Sequence, residues 1–199
     1  MTTKEKIIEQ AEKQFIKKGI VNTQIKDIAS EVNINRRTLY RYFPTKDVLA
    51  FNVEMIVMEK IKRYLEVPNN LVNNLNGYDK VKLYFSRVKF NEIKDLMKFT
   101  AEFDRYFQEE YPTPQLEESF IKILKPEDNQ LYNFIKDGLL DGSIRKDLSL
   151  DSIYHFVSNN FFALFQRLIL REQHLINEHC ENVDFHSLFI DIILSGIKG

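Results

Sequence analysis

Apolar residues recur along the first fifty positions at spacings of three and four, the pattern of helices buried on one side. Between Lys4 and Lys18 the set is Ile7, Ile8, Ala11 and Phe15, and Gly19 follows as a residue that can take left-handed backbone and close a helix. After a short loop Thr23 is placed to accept from the free amides of a second helix of about ten residues, in which Ile25, Ile28, Ala29 and Val32 repeat on one face. Asn33 then supplies a residue that tolerates a left-handed turn, Ile34 reads as a buried plug, and Asn35 caps a third helix over 36–43 that Pro44 stops. Thr45 caps a fourth, running from Lys46 to near Pro68.

Beyond Pro68 the pattern is looser. The Asn-rich stretch from Asn69 to Gly77 reads as a loop, and amphipathic segments follow from Tyr78 to Glu109 with a soft break near Asn91. The run Tyr111, Pro112, Thr113, Pro114 is a clear interruption, followed by a short helix and one over 127–140 that ends in a turn at Asp141 and Gly142. From Ile153 to Leu170 the apolar residues Phe156, Val157, Phe161, Phe162, Leu164, Phe165, Leu168 and Ile169 cannot share one stripe, and 185–197 behaves alike. A helix apolar on nearly all sides must be covered on nearly all sides, which predicts one face on the chain's own core and the other on a second copy.

Composition sharpens this picture. Six Gly, five Pro and no Trp favour long helices with few turns, and 44% hydrophobic content is enough for a proper core. The single cysteine cannot form an internal disulfide, no apolar leader opens the chain, and no run of about 18 uncharged apolar residues occurs; together they predict a cytoplasmic protein without membrane contact. The net charge of −1 is uneven: residues 1–50 carry ten Lys/Arg against six Asp/Glu, and 51–199 carry eighteen against twenty-three. A head near +4 on a body near −5 suits a molecule that must bring one end to phosphates.

Two short helices joined by a tight turn, the second opening Asn35, Arg36, Arg37, Thr38, form a helix-turn-helix pattern. Arginine offers the bidentate fork that fits guanine edges, Thr and Tyr hydroxyls reach phosphate oxygens, and the capping Asn35 leaves helix amides turned to the DNA backbone. Leu39 and Phe43 are spaced to face inward. At these residues the chain resembles the tetracycline-repressor (TetR) family, whose signature matches Thr23 to Ala29 and then Thr38, Leu39, Tyr40, Arg41, Tyr42, Phe43, Pro44, Thr45 and Lys46. The family commonly has Gly at the turn and Ser at the cap, where this chain has Asn33 and Asn35. Past the head only general size, helical character and the apolar last two helices agree.

The resemblance implies an all-α fold: a three-helix helix-turn-helix domain at 1–46, and a helical bundle at 47–199 that senses ligand and dimerises through its last two helices. It places Thr23, Tyr40, Tyr42 and Lys46 on phosphates and Arg36, Arg37 and Thr38 at base edges of a pseudo-palindromic operator. It also implies an effector cavity in the body, for which Phe99, Phe103, Phe107, Phe134 and Phe161 are the candidate wall and an apolar or aromatic molecule the candidate ligand. The function so implied is a ligand-released repressor; the competing readings are a helical adaptor that no longer binds DNA and a helical-bundle enzyme. No phosphate-binding glycine loop, nucleophile elbow, zinc-protease motif or Glu-x-x-His pair occurs, so no catalytic activity and no cofactor are expected. His174, Glu178, His179, Cys180, Glu181 and His186 are metal-ligand types without a regular spacing and read as a solvated inter-helix loop, with no metal expected.

Overall fold

The computed structural model describes residues 1–179 and 183–199. Its described residues form ten α-helices: α1 (Thr3–Asn22), α2 (Ile25–Glu31), α3 (Arg36–Tyr42), α4 (Lys46–Leu65), α5 (Gly77–Ser86), α6 (Phe90–Tyr106), α7 (Pro114–Ile123), α8 (Gln130–Asp141), α9 (Leu150–His179) and α10 (Phe185–Ile197). The only pairing of β type among them is an isolated bridge between Ile144 and Lys198. The all-α expectation holds. The chain divides into two compact units, Met1–Ile61 with Ile93–Ile123, and Lys62–Glu92 with Leu124–Gly199.

In the first unit α1 begins with a reciprocal capping box, in which Thr2 accepts from the Glu5 amide and Glu5 accepts from the Thr2 amide. Gly19 does take left-handed backbone (φ 79°), but it kinks the helix and one further turn continues to Asn22. Ile7, Ala11, Phe15 and Ile20 are buried along this helix. Phe15 stacks on Phe99 of α6 with ring centroids 6.0 Å apart. A second cluster joins α4, α6 and α7: Phe51 packs edge-on against Phe103, Phe107 and Phe120, with Met55, Met58 and Leu116 around it.

In the second unit α5 lies against α8 at a contact that requires glycine. A Cβ on Gly77 would stand 1.9 Å from the amide nitrogen of Gly138, so only a residue without a side chain permits that approach. Asp141 and Ser143 hold the same junction by accepting from the amides of Gly77 and Tyr78, at 2.8 and 3.0 Å. Phe85 of α5, Phe161 of α9 and Phe189 of α10 meet around one core, with centroids 5.6 to 6.1 Å apart. No helix among the described residues is long and apolar enough to cross a membrane.

Several boundaries differ from the sequence reading. Helix α2 has seven residues rather than ten, because Val32 already leaves helical geometry. The break between α5 and α6 falls at 87–89, ahead of Asn91, and α8 starts at Gln130, since Glu127 belongs to a 3₁₀ turn at Pro126–Asp128. Ile34 is half-buried rather than a sealed plug. Helix α9 runs on to His179, so His174 and Glu178 are exposed helix residues and not parts of a loop; Cys180 and Glu181 lie outside the described residues. The apolar last two helices are not covered all round either: Phe156, Leu170, Leu188 and Ile192 are 46 to 61% exposed.

Candidate nucleic-acid interface

The reading head is assembled by local rules. Asn33 takes the left-handed turn (φ 56°), its amide donates to Ser30 O, and the Ile34 amide donates to Ala29 O, so the chain leaves α2 with its last carbonyls satisfied. Asn35 caps α3 by accepting from the Thr38 amide at 2.8 Å. Leu39 and Phe43 are 0 and 1% exposed and hold the helix to the head's core. Everything chemically able to read DNA is left outside: Arg36, Arg37, Tyr40, Arg41 and Tyr42 are all exposed, and Thr38 is half-buried beside them. The Arg36 guanidinium sits 6.0 Å from the centre of the Tyr40 ring, within reach of a cation–π attraction. Arg41 was not singled out as a contact by the sequence; nothing in its spacing separates it from a solvated surface residue, and only its place beside the other two arginines does.

Two residues expected on phosphates have other work. Thr23 is buried, and its hydroxyl donates to Gly19 O at 2.8 Å, with Gln14 O a second acceptor at 3.2 Å. It does not cap α2, whose N-cap position is Gln24 without a side-chain bond, and its hydroxyl closes the kinked end of α1 instead. Lys46 is half-buried and reaches the carbonyls of Ile20, Val21 and Thr23 at 2.7, 3.0 and 3.5 Å. An ammonium has three donors, and here all three find carbonyls at the end of α1. The negative end of that helix is thereby neutralised, and α4 is fastened to it.

From α6 the same kink is gripped again. Glu102 accepts from the Ile20 amide at 3.0 Å and is itself paired with Arg105. Tyr106 donates to Asp47 at 2.7 Å, and burial together with that bond pushes its phenol up to about 12. The end of α1 and the start of α4 are therefore held by polar side chains of α6 as well as by apolar packing.

The five phenylalanines proposed as a ligand wall do not come together. Phe99 stacks on Phe15, Phe103 and Phe107 belong to the cluster around Phe51, and Phe134 and Phe161 are core residues of the second unit. None of them lines the two open clefts found in the second unit. One cleft, of about 580 Å³, is polar and bordered by Lys62, Arg63, Glu66, Asp128, Gln130 and Asn133. The other, of about 460 Å³, is an apolar groove along α9 and α10 that includes Phe156, Leu164, Leu188 and Ile192. A further functional candidate that sequence reading missed is Glu54, a carboxyl 2% exposed on α4. Its place on the stripe of Ala50, Phe51, Val57 and Ile61 is the signal that could have found it.

Comparison with known proteins agrees with this geometry. Residues 7–53 match the family described as bacterial regulatory proteins, tetR family. No curated protein sequence matches the chain. Among solved structures, a tetR family transcription regulator from Shewanella sp. PV-4 superposes with a TM-score of 0.66 at 15% identity, covering 100% of both chains. The regulator FadR from Bacillus subtilis, solved in complex with stearoyl-CoA, gives 0.70 at 18% identity over 97% of this chain and 98% of its own. The ketosteroid regulator KstR2 of Mycobacterium tuberculosis gives 0.61 at 16% identity, over 100% of this chain and 96% of its own. Residues 7–53 thus carry the sequence pattern of the tetR family of bacterial regulatory proteins, and the chain shares its fold end to end with these solved regulators.

Proposed function

We propose that this protein is a sequence-specific transcriptional repressor that binds a pseudo-palindromic operator as a homodimer and is released by a small ligand. The observation that carries the reading is the division of α3, whose Leu39 is sealed in the core while Arg36, Arg37, Tyr40, Arg41 and Tyr42 stand in solvent. A seven-residue helix has no need of three arginines and two tyrosines on its outside for stability. That set is what major-groove readout and phosphate anchoring require. In this reading residues 1–46 are the reading head and 47–199 the sensing and dimerising body, acting in the cytoplasm and without catalytic activity.

The apolar groove on α9 and α10 supports dimerisation. Phe156 and Ile192 are 60 and 61% exposed there, and a second copy of the same surface would remove them from water. Each copy would then present one α3 to a half-site about one DNA turn from the other. The grip of Lys46, Glu102 and Tyr106 on the head is the route by which a ligand in the body would change the spacing of the two heads.

The test is salt-dependent binding to a random-sequence duplex pool, with sequencing of the retained DNA and the Arg36→Ala, Arg37→Ala double variant in parallel. The expected result is an enriched inverted repeat that the variant cannot select. Roughly four to six phosphate contacts per half-site give a log–log salt slope of about −4 to −5 per half-site. Retention with no preferred sequence, or none at low salt, overturns the regulator reading.

A further inference from the structure

The polar cleft of the second unit is bordered by side-chain groups that the fold does not use. It is an open space of about 580 Å³ between the end of α4, α5 and the start of α8. Some of the polar residues at its edge are structural. Gln130 spends its whole amide on Val67, accepting from the Val67 amide at 2.7 Å and donating to the Val67 carbonyl at 2.8 Å, which ties the chain after α4 to the start of α8. Asn129 caps α8 by accepting from the Leu131 amide at 2.9 Å, and Asn133 donates to the carbonyls of Glu127 and Asn129. The rims of the cleft are therefore joined to each other by hydrogen bonds, and the space between them is built in advance.

Five other groups have no such task. Lys62, Arg63, Glu66 and Asp128 all border the cleft, and none of the four forms an ion pair or a side-chain hydrogen bond among the described residues. Lys62 and Glu66 stand one turn apart and still do not pair, so both signs of charge are left open at the same cleft. The fifth group is the phenol of Tyr84 on α5. Tyr84 is 4% exposed and borders the cleft, yet its hydroxyl makes no hydrogen bond among the described residues. Burial first, then the charges of Tyr154 and Glu66, raise its phenol well above its ordinary value, so it keeps its proton and remains a donor. A buried hydroxyl is nearly always bonded, and the cleft is the open side from which a partner can reach this one.

We propose that this cleft binds a free α-amino acid with a polar side chain, its carboxylate held by Lys62, Arg63 and the Tyr84 hydroxyl and its ammonium by Glu66 and Asp128. A ligand of one sign satisfies only half of this set: an anion brings its charge to two acids, and a cation brings its charge to two bases. A molecule carrying both signs completes both halves at once, through charge-assisted hydrogen bonds that are stronger than neutral ones. The cleft is of the size of small-molecule sites, roughly 300–1,000 Å³. The rest of its border includes the amides of Asn69 and Asn133, which favours a polar side chain over an apolar one. The assignment does not rest on the repressor reading, because every group in it belongs to the second unit and none to the head.

The experiment is calorimetric titration of the full chain with each of the common L-amino acids in turn at millimolar concentration, followed by the N-acetyl and methyl-ester derivatives of the tightest binder. An amino acid with a polar side chain is expected to bind most tightly, and each derivative, having lost one charge, about tenfold more weakly. Replacing both bases, Lys62→Met with Arg63→Met, should weaken the parent amino acid about tenfold without weakening the methyl ester. Replacing both acids, Glu66→Gln with Asp128→Asn, should weaken the parent by a similar factor without weakening the N-acetyl derivative. The retained binding of each derivative also shows that the variant is folded. Tyr84→Phe, which removes only the unpartnered hydroxyl, should weaken the parent about three- to tenfold and melt no lower than wild type. Binding of no amino acid, binding of apolar ones alone, a derivative as tight as its parent, unchanged affinity in either double variant, or a lowered melting temperature in Tyr84→Phe overturns the proposal.

Discussion

Two surfaces of this protein leave large apolar side chains in solvent, and they do so in opposite company. On α3, Tyr40 and Tyr42 are 38 and 44% exposed, and both carry a hydroxyl and stand among Arg36, Arg37 and Arg41. On α9 and α10, Phe156, Leu188 and Ile192 are as exposed or more so, and the groove they border with Leu164 and Ile193 contains no charged side chain. The first surface keeps its partners in water-compatible form and fits a polyanion. The second has nothing to offer water and fits an apolar partner. Exposure alone therefore does not identify an interface; the polar groups beside the exposed carbon decide what can cover it.

The largest expected effect breaks the first surface. Replacing Arg36 and Arg37 by Ala removes two forks worth about 1–3 kcal/mol each in base discrimination, so operator affinity should fall by about two to four powers of ten while the melting temperature stays put. A fluorescence-anisotropy titration against the selected operator checks this, and an unchanged affinity would move the reading surface elsewhere. The second surface is broken by Ile192→Lys, which sets a charge in the middle of the groove. Sedimentation should then show a monomer at micromolar concentration where the wild type is expected to run as a dimer, and DNA binding should weaken because one half-site is held at a time.

Smaller effects sharpen the contrast. Lys46 belongs by sequence with the phosphate contacts and by structure with the carbonyls of α1. Lys46→Met should cost about 1–2 kcal/mol of stability in denaturant titration and leave the salt slope of DNA binding within about half a unit. A slope smaller by about one would return Lys46 to the DNA surface.

The smallest effect is the pH dependence contributed by Glu54. Its folded carboxyl holds a proton to higher pH than the unfolded chain, which loses it near 4.5, so the folded state is the better proton binder. The sign follows: stability falls as pH rises from 4.5 toward the raised folded value, and below 4.5 both states are protonated and the group is neutral to stability. Glu54→Gln should flatten that stretch of the stability profile and raise the neutral-pH melting temperature by about 2–4 °C, equivalent to about 1 kcal/mol at this size. A wild-type profile already flat across that range would show that Glu54 is ionised and partnered.

Much of the head was legible before any coordinates. Gly19 and Asn33 do take left-handed backbone, Asn35 and Thr45 do cap their helices, Leu39 and Phe43 are sealed, and the start and end of α10 fall where the apolar run predicted. Each of those features depends on residues within about four positions of one another, the range over which backbone preference and capping act. The carbonyl contacts of Thr23 and Lys46 and the partnerless burial of Glu54 Oε2 were not legible because they are set from far along the chain. The kink that Thr23 and Lys46 close is held by Glu102, 82 residues from its partner Ile20, and the aromatic cluster around Phe51, one turn from Glu54, is drawn from α6, α7 and the segment between them. A threonine, a lysine and a glutamate at helix positions look alike whether they face water or another helix. The sequence by itself determined where this protein's helices begin, end and turn; which of its polar side chains stand in solvent, which lock the frame and which are sealed inside was decided only when distant helices closed over them.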